Sequence, residues 1–400
     1  FVSAISALVG MGGGSRAVVR MGEGRNKEAN AILGSCSALL LLLSILVTVV
    51  FQLVKEPMLL LFGATENTIG YAVDYLTIYL WGTIFVEVSL GLNFFITSQG
   101  FSTISMATVL IGAIINIILD PVFIFGFQMG VKGAALATIT AQAVSAVWVL
   151  RFLTGKRTKL RLQRRHFRIQ PKVLAPVLAL GVSPFIMNAT ESLVNIAFNS
   201  SLKTYGGDSA VGAMTICSSV MQVFFLLLQG IAQGAQPIIG FNYGSGNLER
   251  VKKTFRLLVI SALCFTCTVW LGLELFPGAF VALFNDEPAL VSLAVWTLRI
   301  YAAGMFILGI QTACQQTFVA LGQAKISLFL ALLRKIILLI PLIYILPPFF
   351  ENKVMAVFLA EPTADIIASI TTGLMFFWRF PRILRRRAVE VAHLHEKETP

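Results

Sequence analysis

The stretch AVDYLTIYLWG, Ala72–Gly82, returns later in the chain as AVWTLRIYAAG, Ala294–Gly304, at an offset of 294 − 72 = 222. Ala, Val, Leu, Ile, Tyr and Gly recur in one ungapped register. The same offset pairs Gly22 and Gly24 with Gly244 and Gly246, and Leu61-Phe62 with Leu283-Phe284. It also pairs Gly100, Ile104 and Ser105 with Gly322, Ile326 and Ser327. Apolar matches in apolar segments are cheap. Loop glycines held in register across the whole length are not, and they predict a duplicated fold.

The composition states what is duplicated. Hydrophobic residues make up 57% of the 400 and charged residues 12%, about half the share of a soluble protein. So little polar surface cannot coat a water-soluble globule, and the class is an all-α polytopic membrane protein. About twenty apolar residues cross a bilayer, which places eleven spans at 1–20, 33–53, 71–97, 103–125, 131–152, 173–204, 210–239, 255–276, 289–321, 326–349 and 354–378. The expected organisation is an N-terminal lobe, 1–153, a basic linker, 154–172, a C-terminal lobe, 173–378, and a basic tail, 379–400.

The net charge of +12 is not spread evenly. Residues 151–172 hold nine Lys or Arg and no acid; 20–27, 250–256 and 379–387 are basic as well, whereas FGATENTIG, TYGGDS and FNDEPA are not. The positive-inside rule puts the basic loops and the C-terminus in the cytoplasm of a multi-pass cell-membrane protein. Both copies then place their Gly-x-Gly loop on the same side, so the halves are parallel bundles. The second copy opens with span 173–204, whose counterpart would precede residue 1. The pattern therefore predicts a further N-terminal helix, five plus six spans here and six plus six in a complete molecule.

Function is read from the polar groups that the bilayer makes costly. In IINIILDPVFIFG, Ile114–Gly126, Asn116 and Asp120 lie four apart on one helix face. An ionised carboxylate at the bilayer centre costs about 3 kcal/mol on insertion scales, so it marks a site by default. Counted from the short turn between the two spans, Asp120 and Thr138 fall at one depth. A carboxylate, an amide carbonyl and a hydroxyl together suit a hard cation. Pro121 withholds a backbone donor from the Ile117 carbonyl, as is common at such sites. The bland alternative is a tie between two helices. The repeat sets Leu338 and Leu342 opposite Asn116 and Asp120, so the fold itself does not require polar groups there.

Glu191 is the other deep acid. Glu87 either lines a cavity or faces a partner helix. Arg334 and Lys335 read as anchors reaching the cytoplasmic surface, and the roles of Glu361 and Asp365 stay open. The five cysteines, including Cys264-x-x-Cys267, read as small core residues. The glycines of VGMGGGS read as close helix contacts.

The two lobes, RMGEGRNKEA with its echo NYGSGNLERVKK, NIILDPVFIFG…GVKGAALAT and LAEPTAD together resemble the MATE family, the multidrug and toxic compound extrusion transporters, over essentially the whole chain. The resemblance implies export of cationic or amphipathic compounds by rocking of two lobes, driven by Na⁺ or H⁺, with no other cofactor. It implies a cation site at Asn116, Asp120 and Thr138. Part of the family carries a cation ligand where Glu191 stands, but its Asp partner is missing. Gln311, Gln315 and Gln316 occupy that helix instead, so Glu191 reads equally as an ion ligand or a substrate contact.

The expected partners are small cationic molecules and the lipid bilayer, not nucleic acid, and the expected state is a monomer. A phosphate-binding Gly-x-x-x-x-Gly-Lys-Ser/Thr loop is absent, and the three histidines, His166, His393 and His395, lie in linker and tail, which argues against a nucleotide-driven motor or a metalloenzyme. A flippase for lipid-linked precursors shares the two-lobe plan. It would need deep Arg or Lys for a pyrophosphate.

Overall fold

A computed structural model describes residues 2–61, 66, 68–284 and 287–398. Phe62, one of the repeat matches, and Asn285-Asp286 of the FNDEPA loop lie outside the described residues. The described residues hold helices and no strand. The long ones are α1 (Val2–Gly22), α2 (Asn26–Leu61), α3 (Ile69–Trp81), α4 (Thr83–Ser98), α5 (Ser102–Gly126), α6 (Gly130–Thr154), α7 (Pro171–Gly244), α8 (Leu248–Leu275), α9 (Pro288–Ala302), α10 (Met305–Ala320), α11 (Ala324–Phe349) and α12 (Lys353–Glu398).

Each of the eleven expected spans falls on a described helix, part of one, or a bent helix pair. The 74 residues of α7 would reach about 110 Å at 1.5 Å per residue, far more than a bilayer. The chain turns instead at Gly207, whose φ of 65° only glycine adopts freely, so α7 is two spans. Helices α3 and α4 form one span bent by 56° at Gly82, and α9 and α10 form one bent by 46° before Met305.

These bends carry the duplication into the backbone. Gly82 and Gly304 are repeat partners, and both mark a bend. The left-handed glycines recur in register too: Gly24 (φ 75°) with Gly246 (78°), and Gly100 (87°) with Gly322 (74°). Each pair closes the same turn, as in Asn26 N–H to the Gly24 carbonyl and Leu248 N–H to the Gly246 carbonyl.

Two compact units result, 1–185 and 186–400. The first ends inside α7, past the linker, because the start of α7 packs on α1. A Cβ on Gly12 would strike the Val177 carbonyl, and one on Gly181 would strike the Leu8 carbonyl. The glycine-rich stretch is therefore a helix–helix contact, as its composition suggested. Gly181→Val should prevent accumulation of folded protein, read as loss of a monodisperse peak in detergent. Gly230→Ala, whose Cβ would meet nothing within 4 Å, should leave the peak unchanged.

The basic linker is docked rather than loose. Leu160 is fully buried, and Gln99 Oε1 accepts from Thr158 Oγ1 (2.7 Å) and from the Lys159 and Leu160 amides (2.8 Å each). The tail is likewise no separate extension, since α12 runs on to Glu398. Arg387 of that tail donates to the Tyr243 and Gly244 carbonyls, at 3.1 and 2.7 Å, and so caps the end of α7. Among the cysteines, Cys36, Cys217 and Cys314 are buried as expected. Cys264 is exposed and Cys267 half-buried, because α8 turns that edge away from the core.

Long spans leave apolar side chains exposed on faces that no described helix covers. Helix α5 shows this: Ile114, Ile117, Ile118 and Phe125 are all exposed, with Ile117 at 70%. Its other face lies antiparallel on α6. Ser145 Oγ donates to the Thr108 carbonyl at 3.1 Å, and Gly133 admits the Phe123 carbonyl, which a Cβ would meet at 2.8 Å.

Candidate functional sites

In the first unit, Asn116 Nδ2 donates to Asp120 Oδ1 at 3.2 Å, and both residues are half-buried at the border of the exposed apolar edge of α5. Helix α5 does not stop at Pro121. It continues through a wide π-helical turn, Val122–Gly126, a geometry that recurs at functional sites. The antiparallel register set by Thr108–Ser145 and Phe123–Gly133 brings Thr138 to within about one helical turn of the level of Asp120. Thr138 Oγ1 donates to the Ala134 carbonyl at 3.0 Å, so what it can offer a cation is its lone pairs. No hydrogen bond joins Thr138 to Asp120 among the described residues.

Glu87 is completely buried, on a second π-helical turn, Glu87–Gly91. Ser6 Oγ donates to its Oε2 at 2.9 Å, and its Oε1 has no hydrogen-bond partner. The residue is therefore enclosed between α1 and α4 and does not line an open cavity.

The second unit holds a set of ion pairs that the sequence reading missed. Arg334 Nε donates to Asp365 Oδ1 at 2.6 Å and Arg334 Nη2 to Glu361 Oε1 at 3.3 Å. Lys335 Nζ donates to Glu191 Oε2 at 3.0 Å. The bases are not surface anchors. They sit on a π-helical turn of α11, Leu333–Leu339, with their side chains 9% and 8% exposed. An anchor must reach water, and these are held by acids closer at hand. Glu361 and Asp365, one turn apart on α12, form a fork around Arg334. The legible signal was the i, i+4 acid pair in one apolar helix facing a buried Arg-Lys in another.

None of the hydrogen bonds described for the glutamines runs to Glu191. Gln311 Nε2 donates to Gln315 Oε1 at 2.7 Å, and Gln315 contacts Met187 Sδ. Gln316 Nε2 donates to Gln229 Oε1 at 3.2 Å. With Arg334 these residues line a cavity of about 30 Å³, room for one or two waters. Beyond it, Asn188, Ser192, Asn195 and Asn199 are exposed at i, i+4, i+7 and i+11 of α7. That is one polar helix face inside a membrane span, and such a face belongs against water rather than lipid. Glu191, its side chain 57% exposed, borders it.

The MatE family model matches residues 1–122 and 184–345, most of both units. This chain belongs to the MATE family of membrane transporters. The matched relatives include the multidrug export protein MepA of Staphylococcus haemolyticus strain JCSC1435, 26% identical over 372 residues, covering 91% of this chain and 80% of the relative. MepA of Staphylococcus aureus strain N315 is 24% identical over 336 residues, covering 84% of this chain and 73% of the relative. A crystal structure of a MATE protein in its bent conformation superposes with a TM-score of 0.90 at 22% identity, covering 96% of this chain and 86% of that one. The fold of this MATE chain is thus that of solved family members, and it is a transporter rather than an enzyme.

Proposed function

We propose that this MATE chain exports cationic or amphipathic small molecules, drugs among them, by antiport against H⁺ or Na⁺ bound at Asn116, Asp120 and Thr138. The observation that carries the reading is the Asn116–Asp120 pair, a carboxylate whose one described hydrogen bond stays within its own helix, beside the exposed apolar edge of that helix. A structural tie would bond Asp120 to a second helix; its bond runs to its own. The exposed amide face of α7, bordered by Glu191, supplies water-facing groups for a polar cationic substrate. Alternate exposure of that face, by rocking of the lobes and driven by cation loading at Asp120, is the transport cycle that follows.

The multidrug-export names of the MepA relatives support the substrate class. The flippase reading needs deep cations free for a pyrophosphate, and Arg334 and Lys335 are both engaged by carboxylates. The test is dye efflux from proteoliposomes under an imposed pH or Na⁺ gradient. Efflux that runs equally fast with neither gradient would refute antiport.

The plasma-membrane orientation is part of the proposal, with the basic linker and the C-terminus cytoplasmic. A cysteine replacing Asp286 should react with an impermeant thiol reagent added outside, and one replacing Arg161 should not. Because Cys264 is exposed, the experiment is run in a background lacking it. The reverse labelling pattern would overturn the orientation.

A further inference from the structure

The ion pairs of the second unit do not balance. Three carboxylates, Glu191, Glu361 and Asp365, face two bases, Arg334 and Lys335. The groups come from four elements, namely Glu191 on α7, Arg334 and Lys335 on α11, Glu361 and Asp365 on α12, and Tyr301 on α9, which is electrostatically coupled to all three acids. The mismatch falls on one atom. Arg334 holds Asp365 at 2.6 Å but Glu361 only at 3.3 Å, and Glu361 Oε2 is buried with no hydrogen-bond partner among the described residues. The Glu361 side chain is 3% exposed.

An ionised carboxylate oxygen buried without a partner loses several kcal/mol of hydration that nothing returns. One added positive charge removes the defect. With Glu361 neutral, the remaining groups are two ion pairs, Arg334–Asp365 and Lys335–Glu191. We propose that Glu361 binds an exchangeable proton, which makes the Glu361–Arg334–Asp365 cluster a second proton site of the transporter, separate from Asp120. A proton needs one lone pair, whereas a metal ion gathers several oxygens, and here one oxygen of each carboxylate is already engaged by Arg334 or Lys335. Arg334 also lines the about 30 Å³ cavity, where Gln316 Oε1 is buried and unpartnered. Water fitting that space gives the proton a path to the cluster. The step is plain addition, Glu361 carboxylate plus H⁺ giving the carboxylic acid.

The test is infrared spectroscopy of the full chain in lipid at neutral pH. The expected result is a carboxylic-acid C=O band present in wild type, absent from E361Q and retained in D120N, whichever way the coupling role of Asp120 turns out. Glu87, buried beside Ser6, can contribute a band of its own, so the readout is the wild-type minus E361Q difference. A flat difference overturns the proposal. If E361Q fails to accumulate, E191Q decides: two acids then face two bases, and the band should fall. An unchanged band in E191Q overturns it equally.

Discussion

Asp120→Asn is expected to reduce gradient-driven efflux to the level of protein-free vesicles while leaving the amount of protein in the membrane unchanged. The substitution keeps the shape of the side chain and its capacity to accept from Asn116 Nδ2, so packing on α6 should survive. It removes the one charge on a helix whose neighbouring Ile117 and Ile118 are exposed, which lightens membrane insertion by up to about 3 kcal/mol. A merely structural role would therefore show little loss, or a gain, in stability and no loss of transport. A coupling role loses the driving force altogether, because an amide takes up no proton and holds a cation far more weakly than a carboxylate. Asn116→Ala and Thr138→Ala should have smaller effects, since each removes one neutral ligand and leaves the acid. Wild-type exchange in Asp120→Asn would end the assignment.

The fold was legible because its signals are spread over hundreds of residues and are geometric. A 222-residue offset recorded in loop glycines survives any local misreading of a helix end. The same glycines reappear as the left-handed positions Gly24/Gly246 and Gly100/Gly322. Side-chain pairing was legible only where it is local. Asn116 and Asp120 are four apart in one helix, and period alone puts them together.

The Arg334–Glu361–Asp365 cluster spans two helices, and which side chains meet depends on rotation that the sequence does not display. The π-helical turn at Leu333–Leu339 adds a further rotation that a 3.6-residue period misses. Arg334 and Lys335 were accordingly read as reaching for water when they reach for acids. For Glu87 the sequence left a cavity or a partner helix open, and the contact with Ser6 on α1, which no helical period displays, decides for the partner helix. The polar face at Asn188, Ser192, Asn195 and Asn199 was open to a periodicity test. It was hidden by the apolar residues between those positions.

Arg334→Met should be the most destabilising single substitution in the second unit. Arg334 is the only base bonded to Asp365 and Glu361 among the described contacts, and its guanidinium also lies 5.7 Å from the Phe225 ring centroid. A Met of similar length fills the space but leaves two buried carboxyls without a base. Breaking a buried pair by removing one partner costs about 3–5 kcal/mol, while the lost cation–π contact adds about 1 kcal/mol. The measurement is the thermal unfolding midpoint in detergent. The sharper arm is compensation: Arg334→Met with Asp365→Asn and Glu361→Gln removes the charges together, and replacing a whole buried ion cluster is often near neutral. The triple variant should therefore recover much of what the single one loses, although it deletes more of the native hydrogen bonds. If the losses simply add, the cluster's stability lies in those hydrogen bonds. If Arg334→Met melts like wild type, Arg334 is not the base that holds α11 to α12.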